Sequence, residues 1–280
     1  MTRRRGAPAR TSDRTCWSLS QRIPSVMGDI MLELLRKAHG ESGPFTETAS
    51  HDGIVLEQVF TKPPVVPRAW RLKALPVADL VANNRLSAPL RIGRRWLVVP
   101  SNFEATKTRQ VQLKMDAGMG FGSGRHETTR LCLEILETIP PPASLLDLGT
   151  GSGILAIAAS KLGTGFITAV ENDPAALRSA RGNGRLNGCV KTIHWIRADI
   201  CVWKSKRRFS LVTANLLGHL LMKQASRIAS WTAPRGRVIA SGFFHKERKE
   251  VEAAFARAGL RRVHHARQGR WGVMLLRTST

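Results

Sequence analysis

The sequence predicts an α/β fold: a largely parallel sheet covered by helices on both faces, preceded by a small, degenerate α+β domain. Three observations carry this. Beyond about residue 126, short apolar runs alternate with amphipathic ones in strand–helix order. One turn in that series, Gly149-Thr-Gly-Ser-Gly153, joins a strand directly to a helix. The first third shows only part of a helix-and-strand pattern.

Residues 1–25 read as a disordered basic tail. Arg3, Arg4, Arg5, Arg10, Arg14 and Arg22 face only Asp13, without an apolar period to offset ordering entropy. The composition also matches a mitochondrial transit peptide, although no cleavage signal is visible. Ile23 to Ala38 carries apolar residues at helical spacing and is expected to be a helix that Gly40 and Gly43 end. Ile54 to Phe60 reads as a strand. Lys62-Pro-Pro and Pro67 open a linker, Leu72 to Asn83 reads as a short helix, and Arg94 to Val99 as a strand stopped by Pro100.

The later elements are more regular. Helices are expected over His126–Thr138, Gly153–Leu162, Pro174–Leu186, Leu216–Trp231 and Lys246–Ala258. Strands are expected over Ser144–Leu148, Phe166–Val170, Val190–Ile196, Phe209–Ala214, Arg237–Ser241, Arg262–His265 and Gly272–Arg277. No helix separates the last two strands, so the final one is expected to run antiparallel.

Composition narrows the class. The chain has 280 residues, is 42% hydrophobic and carries a net charge of +24. That apolar content supports a core and excludes wholesale disorder. No window approaches the roughly 18 apolar residues of a membrane helix, so no membrane role is expected. The four cysteines, Cys16, Cys132, Cys189 and Cys201, show no C-x-x-C spacing. A disulfide framework and a metal site are therefore not expected, and the cytoplasm is the expected compartment. The positive charge has two readings: a polyanionic partner such as RNA, or an Arg-rich codon bias, which the absence of Tyr also fits.

The chemistry is concentrated at the glycine turn. Asp147-Leu-Gly149-Thr-Gly151-Ser-Gly153 lets the backbone turn tightly and a ligand lie against it. Glu171 closes the next strand, where a carboxylate can accept both ribose hydroxyls of an adenosine ligand. The glycine spacing is not that of dinucleotide enzymes, and no Lys-Ser or Lys-Thr follows to make a phosphate-cradling loop. The pattern resembles that of class I methyltransferases that use S-adenosyl-L-methionine (SAM). Their fold is Rossmann-like, with a seven-stranded sheet whose last strand is antiparallel.

Three more segments narrow the resemblance: Met119-Gly-Phe-Gly-Ser-Gly-Arg-His-Glu-Thr-Thr129, the helix start through Ala159, and Ala214-Asn215-Leu216-Leu217. Over about residues 90–277 the chain resembles the PrmA family, bacterial methyltransferases of a ribosomal protein. Eukaryotic mitochondrial lysine methyltransferases acting on a flavoprotein are similar. The resemblance implies that Thr129, Gly149, Gly151, Gly153, Glu171, Asp199 and Asn215 contact the cofactor. It makes Asn215 the catalytic residue that orients an acceptor amine. Asp199 has a second reading as a solvated loop acid. His126 either lines the site or caps the helix it begins, and Phe121 covers cofactor or substrate or simply packs.

These matches imply four segments: the tail to residue 25, a small substrate-recognition-like domain over 26–62, a connector over 63–110, and the SAM-dependent methyltransferase domain over 111–280. The expected activity is N-methylation of lysine or α-amino groups, with a ribosomal protein as partner and ribosomal RNA contacted through the basic surface. The alternatives are an RNA methyltransferase and a methyltransferase of another protein, such as a flavoprotein subunit. Two departures stand out. The family continues its Asn motif as Asn-Ile-Leu-Ala, where this chain has Gly218, and it carries Glu before the late Trp, where this chain has Arg270.

Overall fold

The computed structural model describes residues 15–23, 45–50, 53–60, 71–76, 88–104, 107–116 and 124–279. The chain divides between Asn83 and Asn84 into two units.

In the first unit, strands β1 (Thr15–Ile23), β2 (Phe45–Ser50), β3 (Gly53–Phe60) and β4 (Arg71–Pro76) form one sheet in the order β2-β3-β1-β4. Every neighbouring pair is antiparallel. Thr15 to Ile23 had been expected to belong to the tail. It is instead the strand that joins β3 to β4, and Cys16-Trp-Ser-Leu supplies the β-favouring residues that the arginine count obscured. Arg71 to Pro76 is likewise a strand where a helix was expected. Pairing with β1 outweighs local propensity there. The expected helix following Ile23 lies outside the described residues.

The second unit begins with a three-stranded sheet: β5 (Leu90–Ile92), β6 (Trp96–Pro100) and β7 (Val111–Met115). Expected as connector, this segment is packed into the core. Trp96 is fully buried, and its indole N–H donates to the Leu133 carbonyl at 2.8 Å. Arg94 and Arg95 sit in the β5–β6 turn, their backbone N–H groups donating to the Glu137 carboxylate.

The main sheet holds β8 (Ser144–Leu148), β9 (Phe166–Glu171), β10 (Ile193–Arg197), β11 (Phe209–Asn215), β12 (Thr232–Phe244), β13 (Leu260–Gln268) and β14 (Trp271–Thr278). Its order is β10-β9-β8-β11-β12-β14-β13. The pairs from β10 to β12 are parallel, and β14 is antiparallel to both of its neighbours. Helices α1 (Glu127–Thr138), α2 (Ile154–Lys161), α3 (Pro174–Leu186), α4 (Gly218–Trp231) and α5 (Arg248–Arg257) are the connections, the last preceded by a short 3-10 turn. One apolar cluster joins α1 and α2 to one face, and a second joins α4 and α5 to the other. Parallel strands require such crossovers, and alternate residues along each strand feed the two cores. This is the Rossmann-like seven-stranded sheet expected from the sequence. No helix among the described residues is long and apolar enough to cross a membrane.

Candidate functional site

The order of the sheet reverses at β8, whose neighbours are β9 and β11. In open parallel sheets, ligands settle in the crevice beyond the carboxyl ends of the strands at such a reversal. The Gly149–Gly153 turn leaves β8 at that point. Gly149, Gly151 and Gly153 all have positive φ (64°, 55° and 83°), which side-chain-bearing residues rarely adopt. A Cβ on Gly149 would also lie 2.6 Å from Leu216 Cδ2, at the exit of β11. Gly153 has a packing reason of its own, since its Cβ would meet the Trp195 ring at 2.9 Å.

Asp147 anchors this turn from below. It is 1% exposed and accepts hydrogen bonds from the Thr150 hydroxyl and, at 2.6 Å, the Thr213 hydroxyl. Burial is the largest influence on its carboxyl and raises its pKa to about 6; the threonine hydroxyls oppose the shift and the Glu171 charge adds to it. Glu171 stands at the end of β9. Its carboxylate accepts the Gly151 N–H at 2.9 Å and the Asn172 and Asp173 N–H groups at 2.9 and 3.0 Å. These donors fix its orientation and leave lone-pair capacity for a further donor. Asp199, beyond β10, is exposed and accepts the Cys201 N–H at 2.8 Å, which closes a local turn.

The start of α1 contributes a second group. His126 is the N-cap, and its Nδ1 accepts the Thr128 N–H at 3.3 Å. The capping reading of this residue is thus realised. Burial holds its pKa below the ordinary histidine value, partly offset by Glu127. The ring also meets Trp271 edge-on at 4.9 Å, and Trp271 stacks on Phe244 at 4.6 Å. Thr129 is 1% exposed, and its hydroxyl has no hydrogen-bond partner among the described residues. Phe121 lies outside the described residues.

Asn215 closes β11 in register with Ser241 of β12 and is partly exposed. Next to it, Gly218 opens α4. A Cβ there would lie 2.7 Å from Glu247 Oε2, the atom that accepts the Phe244 N–H at 2.7 Å. The departure from the family's Ala therefore has a local cause: the Glu247 carboxylate occupies the space. Cys132, which follows the Thr pair, is fully buried. Burial pushes its thiol up to about 12, so it offers no thiolate at neutral pH.

Two positioning residues escaped the sequence reading. Asn183 of α3 accepts the Asp116 N–H at 2.8 Å and donates to the Ser152 carbonyl at 2.9 Å, so it ties β7's end to the glycine turn. Asn187, one turn on, holds both the N–H and the carbonyl of Lys114. Their i, i+4 spacing was the available signal, but it does not separate a buried amide pair from two solvated ones.

An adenosine-bearing cofactor fits these residues. The turn's three positive-φ glycines carry no side chains of their own, the carboxylate at the next strand end is held by backbone N–H groups, and a buried hydroxyl lacks a partner among the described residues. Fold and site together are those of a class I methyltransferase of the Rossmann-like type.

Comparison with known proteins narrows this class. The family model for "Ribosomal protein L11 methyltransferase (PrmA)" matches residues 81–279, and the chain belongs to that family. The ribosomal protein L11 methyltransferase of Chloroflexus aurantiacus is 38% identical over 213 residues, covering 67% of this chain and 65% of that protein. That of Paraburkholderia xenovorans is 34% identical over 253 residues, covering 90% and 77%. The crystal structure of ribosomal protein L11 methylase from Lactobacillus delbrueckii subsp. bulgaricus is similar with a TM-score of 0.62 and 28% identity, covering 68% of this chain and 99% of that one. The chain thus spans just under two thirds of the Chloroflexus protein's length.

Proposed function

We propose that this protein transfers methyl groups from SAM to lysine or α-amino nitrogens of ribosomal protein L11 in the cytoplasm. The observation that carries the reading is the alignment of three strand ends, each with its own residue: the glycine turn on β8, Glu171 on β9 and Asn215 on β11. Membership of the family supports the acceptor.

SAM supplies the electrophilic methyl group. Glu171 holds the ribose hydroxyls, Thr129 donates its unpaired hydroxyl, and the backbone of Gly149 and Gly151 lies under the amino-acid part. Asp199 is the proposed adenine partner, through the carboxylate capacity that its turn leaves open. Phe121 is the proposed cover of cofactor or substrate, and His126 caps the helix that carries Thr129. A lysine amine has a pKa near 10.4, so its neutral form costs about 4.6 kcal/mol at pH 7. A low-dielectric surrounding and the adjacent sulfonium charge favour that neutral form. The Asn215 side-chain carbonyl then accepts an amine N–H and aims the lone pair. Alignment is the main contribution, and no dedicated general base is needed. The first unit is the proposed recognition element for the protein acceptor.

Tritium-labelled SAM with purified ribosomal protein L11 tests the proposal, with mass spectrometry to place the label. Methylated lysine or α-amine is expected. Label that appears only in ribonuclease-sensitive material from a lysate would instead support the RNA methyltransferase reading.

A further inference from the structure

The edge of the main sheet away from the cofactor turns carries a row of arginines that the proposed methyl transfer does not use. Arg237 on β12 lies directly opposite Arg277 on β14, and Arg277 lies directly opposite Arg261 on β13. Residues directly opposite each other in an antiparallel pair share a face of the sheet, so the three side chains form one ladder across three strands. With strands about 4.8 Å apart, the ladder is about 10 Å long. Arg261 and Arg277 are exposed, and Arg237 is partly so.

A fourth arginine extends the row. Arg235, at the turn that precedes the regular part of β12, has a φ of 59° and is the one described non-glycine residue with positive φ. It lines an open groove of about 590 Å³ together with Arg261, Val263, Arg277, Thr278 and Ser279. On neighbouring β11, the approach Lys204-Ser-Lys-Arg-Arg208 continues the same edge, with the Arg207 guanidinium 4.0 Å over the Phe166 ring.

Among the described residues, nothing neutralises this row. Arg262, beside it on β13, is paired with Glu252. None of Arg235, Arg237, Arg261 and Arg277 has a carboxylate partner among the described residues. No Asp or Glu occurs in segments 204–210, 232–237, 260–263 or 275–279. Like charges directly opposite in a sheet are destabilising. Three of them in line suit a ligand of opposite sign.

We propose that this ladder binds the phosphate backbone of RNA and docks the protein on an RNA-bearing assembly. The chemistry favours RNA over an acidic protein. A protein interface is centred on buried apolar anchors, and the groove offers only Val263. A run of guanidinium groups without such a centre suits a repeating charge read without regard to sequence.

The test is fluorescence anisotropy with a labelled single-stranded RNA of about 20 nucleotides, at several salt concentrations. Wild type is compared with the triple variant R237Q/R261Q/R277Q. Each phosphate contact contributes about −0.7 to the slope of log K against log salt for a single strand, so the slope should become shallower by about two. Affinity at low salt should fall at least about tenfold. SAM affinity and the thermal midpoint should hold, the midpoint tending upward as repulsion is relieved. If the triple variant does not fold, R261Q and R277Q singly should each flatten the slope by about 0.7. An unchanged slope overturns the proposal. So does equal loss of binding to a polyglutamate peptide of the same length, which would make the row a protein-docking surface. Neither readout depends on methyl transfer.

Discussion

Asp147 offers a sharp physical test, because its energetics and its place under the glycine turn are coupled. The carboxyl is raised by burial from 3.8 to about 6. A carboxyl with a raised folded-state pKa contributes stability that is fully present below the unfolded pKa and lost as pH rises through the folded one. The full difference is about 3 kcal/mol, of which about 1 kcal/mol is lost between pH 5 and pH 8. Asp147→Asn removes the titration at nearly constant shape. The amide oxygen still accepts from one threonine hydroxyl, and the other hydroxyl rotates to accept from the new NH2 group. Urea unfolding of both proteins, followed by tryptophan fluorescence at several pH values, isolates the effect. Other carboxylates titrate in both proteins and cancel. The stability of wild type relative to the variant should fall by about 1 kcal/mol from pH 5 to pH 8. A difference that stays flat across this range would refute the reasoning.

Three further outcomes follow from the site. Thr129→Val removes a buried hydroxyl that has no partner among the described residues, so stability should hold or rise slightly while SAM affinity by calorimetry falls about tenfold. Asn183→Ala breaks the link between Asp116 and Ser152; unfolding stability should drop by about 2–4 kcal/mol, and SAM affinity should weaken because the glycine turn loses its tie. Asn215→Ala should leave SAM affinity within about threefold and lower turnover about a hundredfold or more, as expected for a group that orients the reacting amine. Near-normal turnover with the cofactor still bound would remove Asn215 from the reaction.

The part of the molecule that could be read from sequence is the part fixed by short-range rules. Pro174 to Leu186 is the helix its proline and spacing announce, because Asp173 caps it through the Ala175 N–H. The glycine turn was readable because positive φ restricts the choice of residue at each position. What could not be read depends on partners remote in sequence. Thr15 to Ile23 became a strand through pairing with residues some 30 to 60 positions away, which no local period encodes. Trp96 joined the core through a helix that begins well after it. At the site, carboxylates and glycines announced themselves, whereas Asn183 did not. An amide that satisfies two buried backbone groups looks in sequence like any surface polar residue.

The distribution of charge ties these observations together. Asp147, Glu171, Asp173 and Asp199 all stand at or just beyond the carboxyl ends of the parallel strands. The arginine ladder stands at the opposite edge. SAM carries a sulfonium cation and the proposed amine acceptor arrives as an ammonium, so these carboxylates attract both. The same edge also carries Arg197 at the end of β10, and Lys246 and Arg270 over the Phe244 ring, so it is mixed in charge, whereas the ladder is purely cationic. A polyanion on the proposed ladder would lie at the end of the strands opposite the crevice, so the proposed RNA docking would leave the proposed methyl transfer unobstructed. A net charge of +24 need not signal chemistry on nucleic acid. Segregated in this way, it is compatible with an enzyme that approaches an RNA-rich particle while modifying a protein within it.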